Sequence, residues 1–189
     1  MIVGLVKPDF GNIHLEGNCI KNLSMTKRVQ LGIGYLAQEP SIFRNLTVTE
    51  NLDIAFSQST LSKSICRNRR EELIEEFNLG SFLNRFGYQL SGGERRRCEV
   101  ARALAVGNLG PKYLLLDEPF AGIDPIAIND LQNLIRTLKN KKLGILITDH
   151  NVRATLAITN RSYILNQGEI LAYGSSDQLT KNEIVKEYY

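Results

Sequence analysis

The apolar positions of this chain fall into short runs separated by stretches of helical periodicity. Three of the runs are typical of strands: Gly32–Leu36, Tyr113–Leu116 and Gly144–Thr148. The last two are apolar at nearly every position, which indicates strands buried on both faces of a parallel sheet. Alternating positions over Gly11–Gly17 predict a further, half-buried strand. Strands that alternate with helices predict an open parallel sheet of the α/β class.

Helices are indicated by their start signals and by apolar stripes. Residues 47–56 open with a Thr-x-x-Glu capping box, which predicts a helix. Opposite charges at helical spacing favour another helix, with a solvated face, over residues 62–77. Asp124 followed by Pro125 is a strong N-terminal signal for a third. Its core-facing stripe would consist of Ile128, Leu131, Leu134, Ile135 and Leu138.

The remaining segments carry weaker patterns. Met1–Leu5 is apolar and has no cap before it, so we interpret it as the tail of a helix. Residues around Gln167–Gly168 predict a pair of strands, and Asp177 is expected to cap a last helix. Residues 41–100 are predicted to be mainly helical, between two β-containing parts. His14 lies on the polar phase of its strand and is expected to be an exposed side chain.

Composition narrows the class of protein. The chain has 189 residues, of which 43% are hydrophobic, and this suits one domain with a real core. A net charge of +3 is too small to favour nucleic acid as a partner. No apolar run approaches the roughly 20 residues that span a bilayer, and we expect no signal peptide. Three widely spaced cysteines indicate a reducing compartment.

Two blocks carry candidate phosphate chemistry. In the first, Ser91-Gly92-Gly93 opens a helix, where several backbone N–H groups point one way and form an anion site. In the second, Asp117 and Glu118 follow an apolar strand, and ligands of such sheets bind beyond the carboxyl ends of the strands. One carboxylate can hold Mg²⁺ through water, and the other can activate an attacking water.

Gln38 and His150 also follow predicted strands. Gln38 stands two residues before a proline and can reach into a cleft, and His150 follows Asp149 at the end of the Gly144–Thr148 strand. Each of these features alone is more often structural, as an N-cap, a surface acid or a polar pair at a strand end. Their value lies in their combination and order.

That combination resembles the ATP-binding subunit of an ABC transporter. The chain reads LSGGERRR from Leu90, DEPFAGIDPI from Asp117 and LITDHNVR from Leu146, and residues 185–188 also fit. Within the family these segments are most similar to the lipopolysaccharide-export branch, with branched-chain amino-acid importers as the next cousins. The resemblance implies a P-loop NTPase-like parallel sheet of the ABC ATPase type, with a helical subdomain inserted at residues 41–100.

It also implies residue roles in hydrolysis. Asp117 would hold Mg²⁺ through water, and Gln38 would contact both Mg²⁺ and the attacking water. Glu118 would be the general base, because in-line attack on a phosphoryl group needs a positioned water. His150 would contact the γ-phosphate of ATP and keep that water in place.

Other implied roles concern partners. Ser91, Gly92 and Gly93 would bind ATP held by a second ATPase subunit of the same kind, and Asp124 would cross that dimer interface. A membrane-spanning transporter subunit would be the other partner, and nucleic acid would not be one. The protein would lie at the cytoplasmic face of a membrane, or in a plastid stroma, as a peripheral subunit.

The family's phosphate-binding loop, G-x-x-x-x-G-K-[ST], does not occur in these 189 residues. We therefore expect a partial ABC ATPase domain over residues 1–189, lacking the phosphate-loop region and a strand beside that of Asp117. Three hypotheses remain open: a transport ATPase known from a truncated sequence, a non-hydrolysing module that complements a full-length partner, and a soluble ABC ATPase unconnected with transport.

Overall fold

A computed structural model describes residues 1–57, 59, 61–107 and 110–182. Residues 185–188 lie outside this part. The strands are β1 (His14–Leu15), β2 (Asn18–Cys19), β3 (Ile33–Leu36), β4 (Tyr113–Asp117), β5 (Gly144–Thr148), β6 (Ser162–Asn166) and β7 (Glu169–Gly174). The α-helices are α1 (Met25–Gln30), α2 (Val48–Ser57), α3 (Lys63–Glu76), α4 (Gly92–Ala105), α5 (Pro125–Asn140), α6 (Val152–Leu156) and α7 (Ser176–Lys181). Two 3₁₀ turns lie at Gly80–Phe82 and Gly87–Gln89.

The central element is a parallel sheet in the order β3-β4-β5, as the apolar runs predicted. Leu36 of β3 lies beside Leu116 of β4, which lies beside Ile147 of β5. All three strands therefore end at one edge of the sheet. Because β4 is paired on both sides, the expectation of a missing strand directly beside it is wrong; a further strand could join only at β3 or β5.

The two faces of the sheet are covered unequally. On one face, Leu114 and Leu116 of β4 are completely buried in the main core with α4 and α5. On the other, Leu115 is only half-buried, and Leu146 of β5 is 47% exposed. The prediction that both strands are buried on both faces is therefore wrong. Among the described residues, this second face is covered by a small cluster built around Val3 and Ile20.

The predicted helix tail at Met1–Leu5 is also wrong, because the segment consists of turns and bends. Arg28 explains its course. This buried side chain donates to the carbonyl oxygens of Met1 at 2.9 Å and Ile2 at 2.7 Å. Carbonyl groups that a helix would use internally are thus bound by a guanidinium group.

The strand predicted over Gly11–Gly17 is only the two residues of β1. The chain reverses at Glu16 and Gly17, whose φ angles of 49° and 82° are those of a tight hairpin turn, and returns as β2. A sequence pattern that counts only apolar alternation does not detect this turn. His14 is exposed, as expected.

The stronger helix signals are confirmed. The Glu50 carboxylate accepts from the Thr47 backbone N–H at 2.7 Å, which completes the predicted capping box of α2. In α5, Asp124 is the N-cap and the predicted stripe faces the core. The last helix differs, because Ser175 rather than Asp177 caps α7. The hairpin of β6 and β7 turns at Gln167–Gly168, as predicted.

The segment over residues 41–100 contains α2, α3 and most of α4, but its status as a subdomain stays a prediction. Its apolar residues, such as Leu52 and Phe77, belong to the same hydrophobic cluster as Leu114 and Leu116 of the sheet. The helical segment and the sheet therefore stabilise each other through one core.

Candidate active site

Asp117 is held at the carboxyl end of β4 by hydrogen bonds from both neighbouring strands. The Thr148 hydroxyl donates to Asp117 Oδ1 at 2.5 Å, and the Tyr35 hydroxyl donates to Oδ2 at 3.2 Å. Burial, and then the Asp117 charge, raise the pKa of Tyr35 above its ordinary value. The phenol therefore stays protonated and keeps its role as donor. The carboxylate is fixed in direction at the sheet edge.

Glu118 adopts a backbone conformation that is unusual for a residue with a side chain. Its φ is 45°, in the left-handed region, which costs of the order of 1–3 kcal/mol. Its N–H donates to the Thr148 carbonyl at 2.7 Å. This turn aims the carboxylate at His150, with Glu118 Oε2 3.1 Å from His150 Nδ1. The two side chains are 29% and 71% exposed, so both remain accessible to a ligand.

Asp149 supports the histidine and was not singled out from the sequence. Its side chain is completely shielded from solvent. One carboxylate oxygen accepts from the Asn151 N–H at 2.8 Å, and the other accepts from the Phe120 N–H at 3.0 Å. The loop carrying His150 is thereby tied to the segment that follows Glu118. An acid beside a histidine was visible in the sequence, but its partners were not.

Gln38 lies at the same edge of the sheet, two residues beyond β3, and is exposed. Parallel pairing of β3 with β4 places it on the side of Asp117. Within the described residues, no hydrogen bond joins Gln38 to Asp117 or Glu118. The structure thus places Gln38 near the acidic pair without engaging it.

Arg96 of α4 is the main residue that sequence reasoning missed. It is 5% exposed and donates to the carbonyl oxygens of Glu118 at 2.7 Å, Pro119 at 3.1 Å and Ala37 at 3.1 Å. One guanidinium group therefore holds the strained turn at Glu118 and the segment before Gln38 together. In the sequence it is the middle residue of a basic run, Arg95-Arg96-Arg97, which gives no sign of this role.

Glu99 completes this buried network. Its carboxylate pairs with Arg96 Nη1 at 3.1 Å and accepts from the Ser41 N–H at 2.7 Å. Removing one member of a buried pair typically costs about 3–5 kcal/mol, because the other charge is left unpaired. The sequence offered one signal for this buried pair, because Arg96 and Glu99 are three positions apart in a helix with many apolar positions. The same spacing also occurs in exposed ion pairs.

A second group of predicted residues lies at the start of α4. Ser91 is the exposed N-cap, and its N–H donates to Glu94 Oε2 at 2.9 Å. Burial alone would raise the pKa of Glu94, but the bonds from Ser91 and the ion pair with Arg85 lower it. The carboxylate therefore stays charged and keeps the first turn of α4 in place.

Gly92, Gly93 and Asp124 meet where α4 begins and α5 begins. A Cβ atom on Gly93 would lie 2.7 Å from the Ala127 Cβ, and one on Gly92 would lie 3.0 Å from the Gly122 carbonyl oxygen. Asp124 Oδ1 accepts from the Ala127 N–H at 3.0 Å. Both glycines are thus required for close packing, whatever else they bind. Ser91 and these residues form a group separate from Asp117, Glu118 and His150.

The acidic side chains of Asp117 and Glu118 suit a cation most of whose ligands are not protein atoms. Among the described residues, no cluster of three or more His, Cys, Asp or Glu side chains could hold a metal ion. At the sheet edge, Asp117 offers a carboxylate that is fixed in direction by Thr148 and Tyr35. Mg²⁺ commonly binds proteins through one or two carboxylates, with water and substrate phosphates completing its shell. The donor set therefore fits Mg²⁺ brought with a nucleotide.

None of the helices in the described part of the chain is long and apolar enough to cross a bilayer.

Comparisons with known proteins agree with this geometry. A family described as ABC transporter matches residues 1–121. The lipopolysaccharide export system ATP-binding protein LptB of Haemophilus influenzae is 50% identical over an alignment that covers 100% of this chain and 78% of that protein. The superposition on the solved ATP-binding cassette MJ1267 of an ABC transporter covers 100% of this chain and 80% of that structure. Its TM-score is 0.86 at 27% sequence identity. Its ADP conformation has a TM-score of 0.85 at 26% identity, with the same coverage.

The family match extends over more than half of the sequence, and the relative and the solved structures reach its full length. Members of this family bind and hydrolyse ATP. The chain belongs to the family of ATP-binding subunits of ABC transporters.

Proposed function

We propose that this protein couples ATP hydrolysis to the export of a lipid or lipopolysaccharide. The observation that carries the proposal is the fixed group at the carboxyl ends of β4 and β5, in which Asp117 and the Glu118–His150 pair face one open edge. The name of the Haemophilus influenzae relative supports lipopolysaccharide as the substrate class.

In this proposal, Glu118 is the general base and takes a proton from the attacking water. His150, 3.1 Å away, orients that carboxylate and contacts the γ-phosphate of ATP. Asp117 would hold Mg²⁺ through water, and Gln38 would reach the same ion and the attacking water. Bound there, Mg²⁺ would offset the charge of the phosphates. The exposure of Glu118, His150 and Gln38 leaves room for this ligand.

The group formed by Ser91, Gly92, Gly93 and Asp124 is proposed to serve a second copy of the subunit. Its separation from Glu118 supports this division, because Gly93 packs on Ala127 instead of on the acidic group. The Gly92 and Gly93 N–H groups at the start of α4, which no hydrogen bond within the described residues uses, suit the γ-phosphate of ATP held by that copy. The other partner would be a membrane-spanning subunit, with this protein at the cytoplasmic or stromal face of the membrane.

Replacing Glu118 tests the assignment of the base. In a longer chain that also carries the phosphate loop of a relative, Glu118→Gln is expected to lower ATP turnover by about 10²–10⁴-fold while ATP binding is kept. Turnover and nucleotide affinity are measured together. Glu71→Gln, on the exposed side of α3, is the matched control. Near-normal turnover of Glu118→Gln would make His150 the better candidate for the base.

A second candidate function is favoured by one sequence observation, the absence of G-x-x-x-x-G-K-[ST] from these 189 residues. As a complementing module, the chain would contribute Ser91 and Gly93 to ATP held by a full-length partner and would turn over no ATP of its own. The test mixes this chain with a full-length partner whose own serine at the position of Ser91 is replaced by Ala. Only a chain that supplies a working Ser91 and Gly93 would restore ATP turnover, at the site whose ATP the partner holds.

A further inference from the structure

The carboxylate of Glu94 places a negative charge beside the turn that is proposed to bind the γ-phosphate. Its Oε2 accepts from the Ser91 N–H at 2.9 Å, and its own N–H donates to Ser91 Oγ at 3.3 Å, which forms a reciprocal capping box. Burial alone would raise the pKa of Glu94, but the bonds from Ser91 and the ion pair with Arg85 lower it, so the group is charged at neutral pH. The Gly92 and Gly93 N–H groups lie in the same helical turn.

An uncompensated carboxylate at this place would oppose the binding of a phosphate. The amino end of a helix attracts anions through its N–H groups and its dipole. A carboxylate in the first turn repels a second anion there. The Glu94 side chain is only 22% exposed, so water screens its charge incompletely. The phosphate site therefore needs a cation that neutralises Glu94.

Arg85 is placed to be that cation. Its Nη2 forms an ion pair with Glu94 Oε1, and its guanidinium group lies over the ring of the buried Phe82, 5.3 Å from the centroid. The backbone of Arg85 is fixed as well, because its N–H donates to the Phe82 carbonyl at 3.0 Å and its carbonyl accepts from the Val48 N–H at 3.1 Å. Within the described residues, no other basic side chain forms an ion pair with Glu94.

The arginines that follow Glu94 in the sequence do not take this role. Arg95 is its direct neighbour in α4, and adjacent residues of a helix do not face each other. Arg96 is buried beneath Glu118, and Arg97 lies over the Phe82 ring at 5.4 Å. The cation beside Glu94 is thus supplied by tertiary packing, from the segment that precedes α4.

We propose that Arg85 is a positioning residue that neutralises Glu94, so that the turn of Ser91, Gly92 and Gly93 can accept the γ-phosphate of ATP held by a second copy. This inference rests on the proposed function of that turn and adds the residue that sets its charge. Arg85 acts through Glu94 and does not itself touch the nucleotide. Glu94 keeps the turn in shape through its bond to the Ser91 N–H, and the ion pair removes the repulsion that its charge would otherwise bring.

The two contributions of Glu94 can be separated by substitution. Glutamine keeps an oxygen that accepts from the Ser91 N–H, since Glu and Gln both complete a capping box, but it carries no charge. Neutralisation by Arg85 therefore predicts that Glu94→Gln removes the need for Arg85. If the ion pair served only to fasten the segment before α4, Glu94→Gln would break the pair and bring no recovery.

The test uses the longer chain that also carries the phosphate loop of a relative, with Glu118→Gln to stop turnover. Analytical ultracentrifugation measures the ATP concentration at which half of this chain is dimeric. Arg85→Gln is expected to raise that concentration about tenfold, and adding Glu94→Gln should return it to within about twofold of the starting value. Arg85→Lys, which keeps the charge, should change it little. The affinity for ADP should be the same in all variants, because ADP has no γ-phosphate.

Arg70→Gln is the matched control, because Arg70 is also an ion-paired arginine, and its partner is Asp53 of α2. It should leave the ATP requirement unchanged. If Arg85→Gln left dimerisation unchanged, or caused a loss that Glu94→Gln did not recover, the proposal would be overturned and the function of the turn would stand. A fall in ADP affinity together with dimerisation would show a general loss of structure and would overturn the proposal too. If the longer chain with Arg85 in place formed no dimer with ATP, the proposed function of the turn would be overturned with it.

Discussion

Glu118 shows how the setting of one residue decides its chemistry. Its left-handed backbone conformation is held by the Thr148 carbonyl on one side and the Arg96 guanidinium on the other. The strain is local, and the buried Arg96–Glu99 pair stabilises it from beneath. Neither Arg96 nor Glu99 can contact a ligand from its buried position, so their part is to position the groups that do.

The thiol of Cys98 has a strongly raised pKa. It is fully buried on α4, and burial raises the pKa of its thiol to about 12. The thiolate is the reactive form, so Cys98 should resist iodoacetamide at pH 8 while the exposed Cys19 reacts. Mass spectrometry of labelled peptides measures both rates. In guanidinium chloride the two should react alike, and equal labelling of the folded chain would contradict the prediction.

The raised pKa of Cys98 makes the stability of the fold depend on pH. An unfolded cysteine has a pKa of about 8.5, below that of folded Cys98. The folded state therefore favours the protonated thiol. This contribution is fully present below about pH 8.5 and is lost as the pH rises towards 12.

Gly93 is expected to be required for stability as well as for its proposed role in binding. An added Cβ would meet the Ala127 Cβ at 2.7 Å, and neither atom can move without shifting a helix. Gly93→Ala should lower the free energy of unfolding by about 1–3 kcal/mol, measured by urea denaturation. Gly80→Ala, whose Cβ meets no atom within 4 Å, is the control. Adding Ala127→Gly should recover part of the loss; no loss in Gly93→Ala would show that the two helices separate easily.

Helix α4 is the element that links the two groups of the site. It packs against β3, α2, α3 and α5. Ser91 is its N-cap, and its second turn carries Arg96 beneath Glu118. Further along, Arg102 donates to the Ser41 carbonyl at 2.6 Å and lies over the Phe43 ring at 5.0 Å. A displacement of this helix would therefore change the contacts of both Glu118 and Phe43.

The segment that follows Gln38 presents Phe43 as the candidate contact for a membrane subunit. The ring is 46% exposed, while Asn51 holds the backbone of Phe43 by bonds of 2.9 Å and 3.1 Å. An aromatic anchor commonly contributes about 2 kcal/mol, so Phe43→Ala should weaken association with the membrane subunit roughly 30-fold and leave the fold intact.

Pull-down with candidate membrane subunits measures this effect. Phe10→Ala is the matched control, because Phe10 is 92% exposed on another part of the surface. Unchanged binding with a normal melting curve would remove Phe43 from the interface, and unfolding would assign it to the core.

At the scale of the whole molecule, these 189 residues are expected to hydrolyse no ATP on their own. The phosphate loop, whose backbone and lysine do most of the nucleotide holding, is absent from the sequence. Calorimetry with Mg-ATP and a phosphate-release assay are the measurements. Micromolar affinity, with turnover that Glu118→Gln abolishes, would falsify this expectation; Glu71→Gln serves again as the control.

The sequence by itself determined those features that depend on residues close together in the chain. Side-chain periodicity and capping depend on neighbours within a few residues. They were sufficient to predict the parallel sheet, the caps at Thr47 and Asp124 and the acids at the end of β4. The order of motifs was sufficient to predict the family, which the comparisons confirm. The binding and catalytic roles of the individual residues stay predictions.

Only the tertiary structure decided what the distant groups do. Arg28 draws Met1–Leu5 out of a helix, and Arg96 gathers carbonyl groups that are more than 20 positions away from it. The pairing of β5 with β4 likewise depends on the strand that lies beside it and not on its own five residues. Long-range hydrogen bonds and strand order leave no periodic trace in the chain, because the partners are brought together by packing and not by spacing.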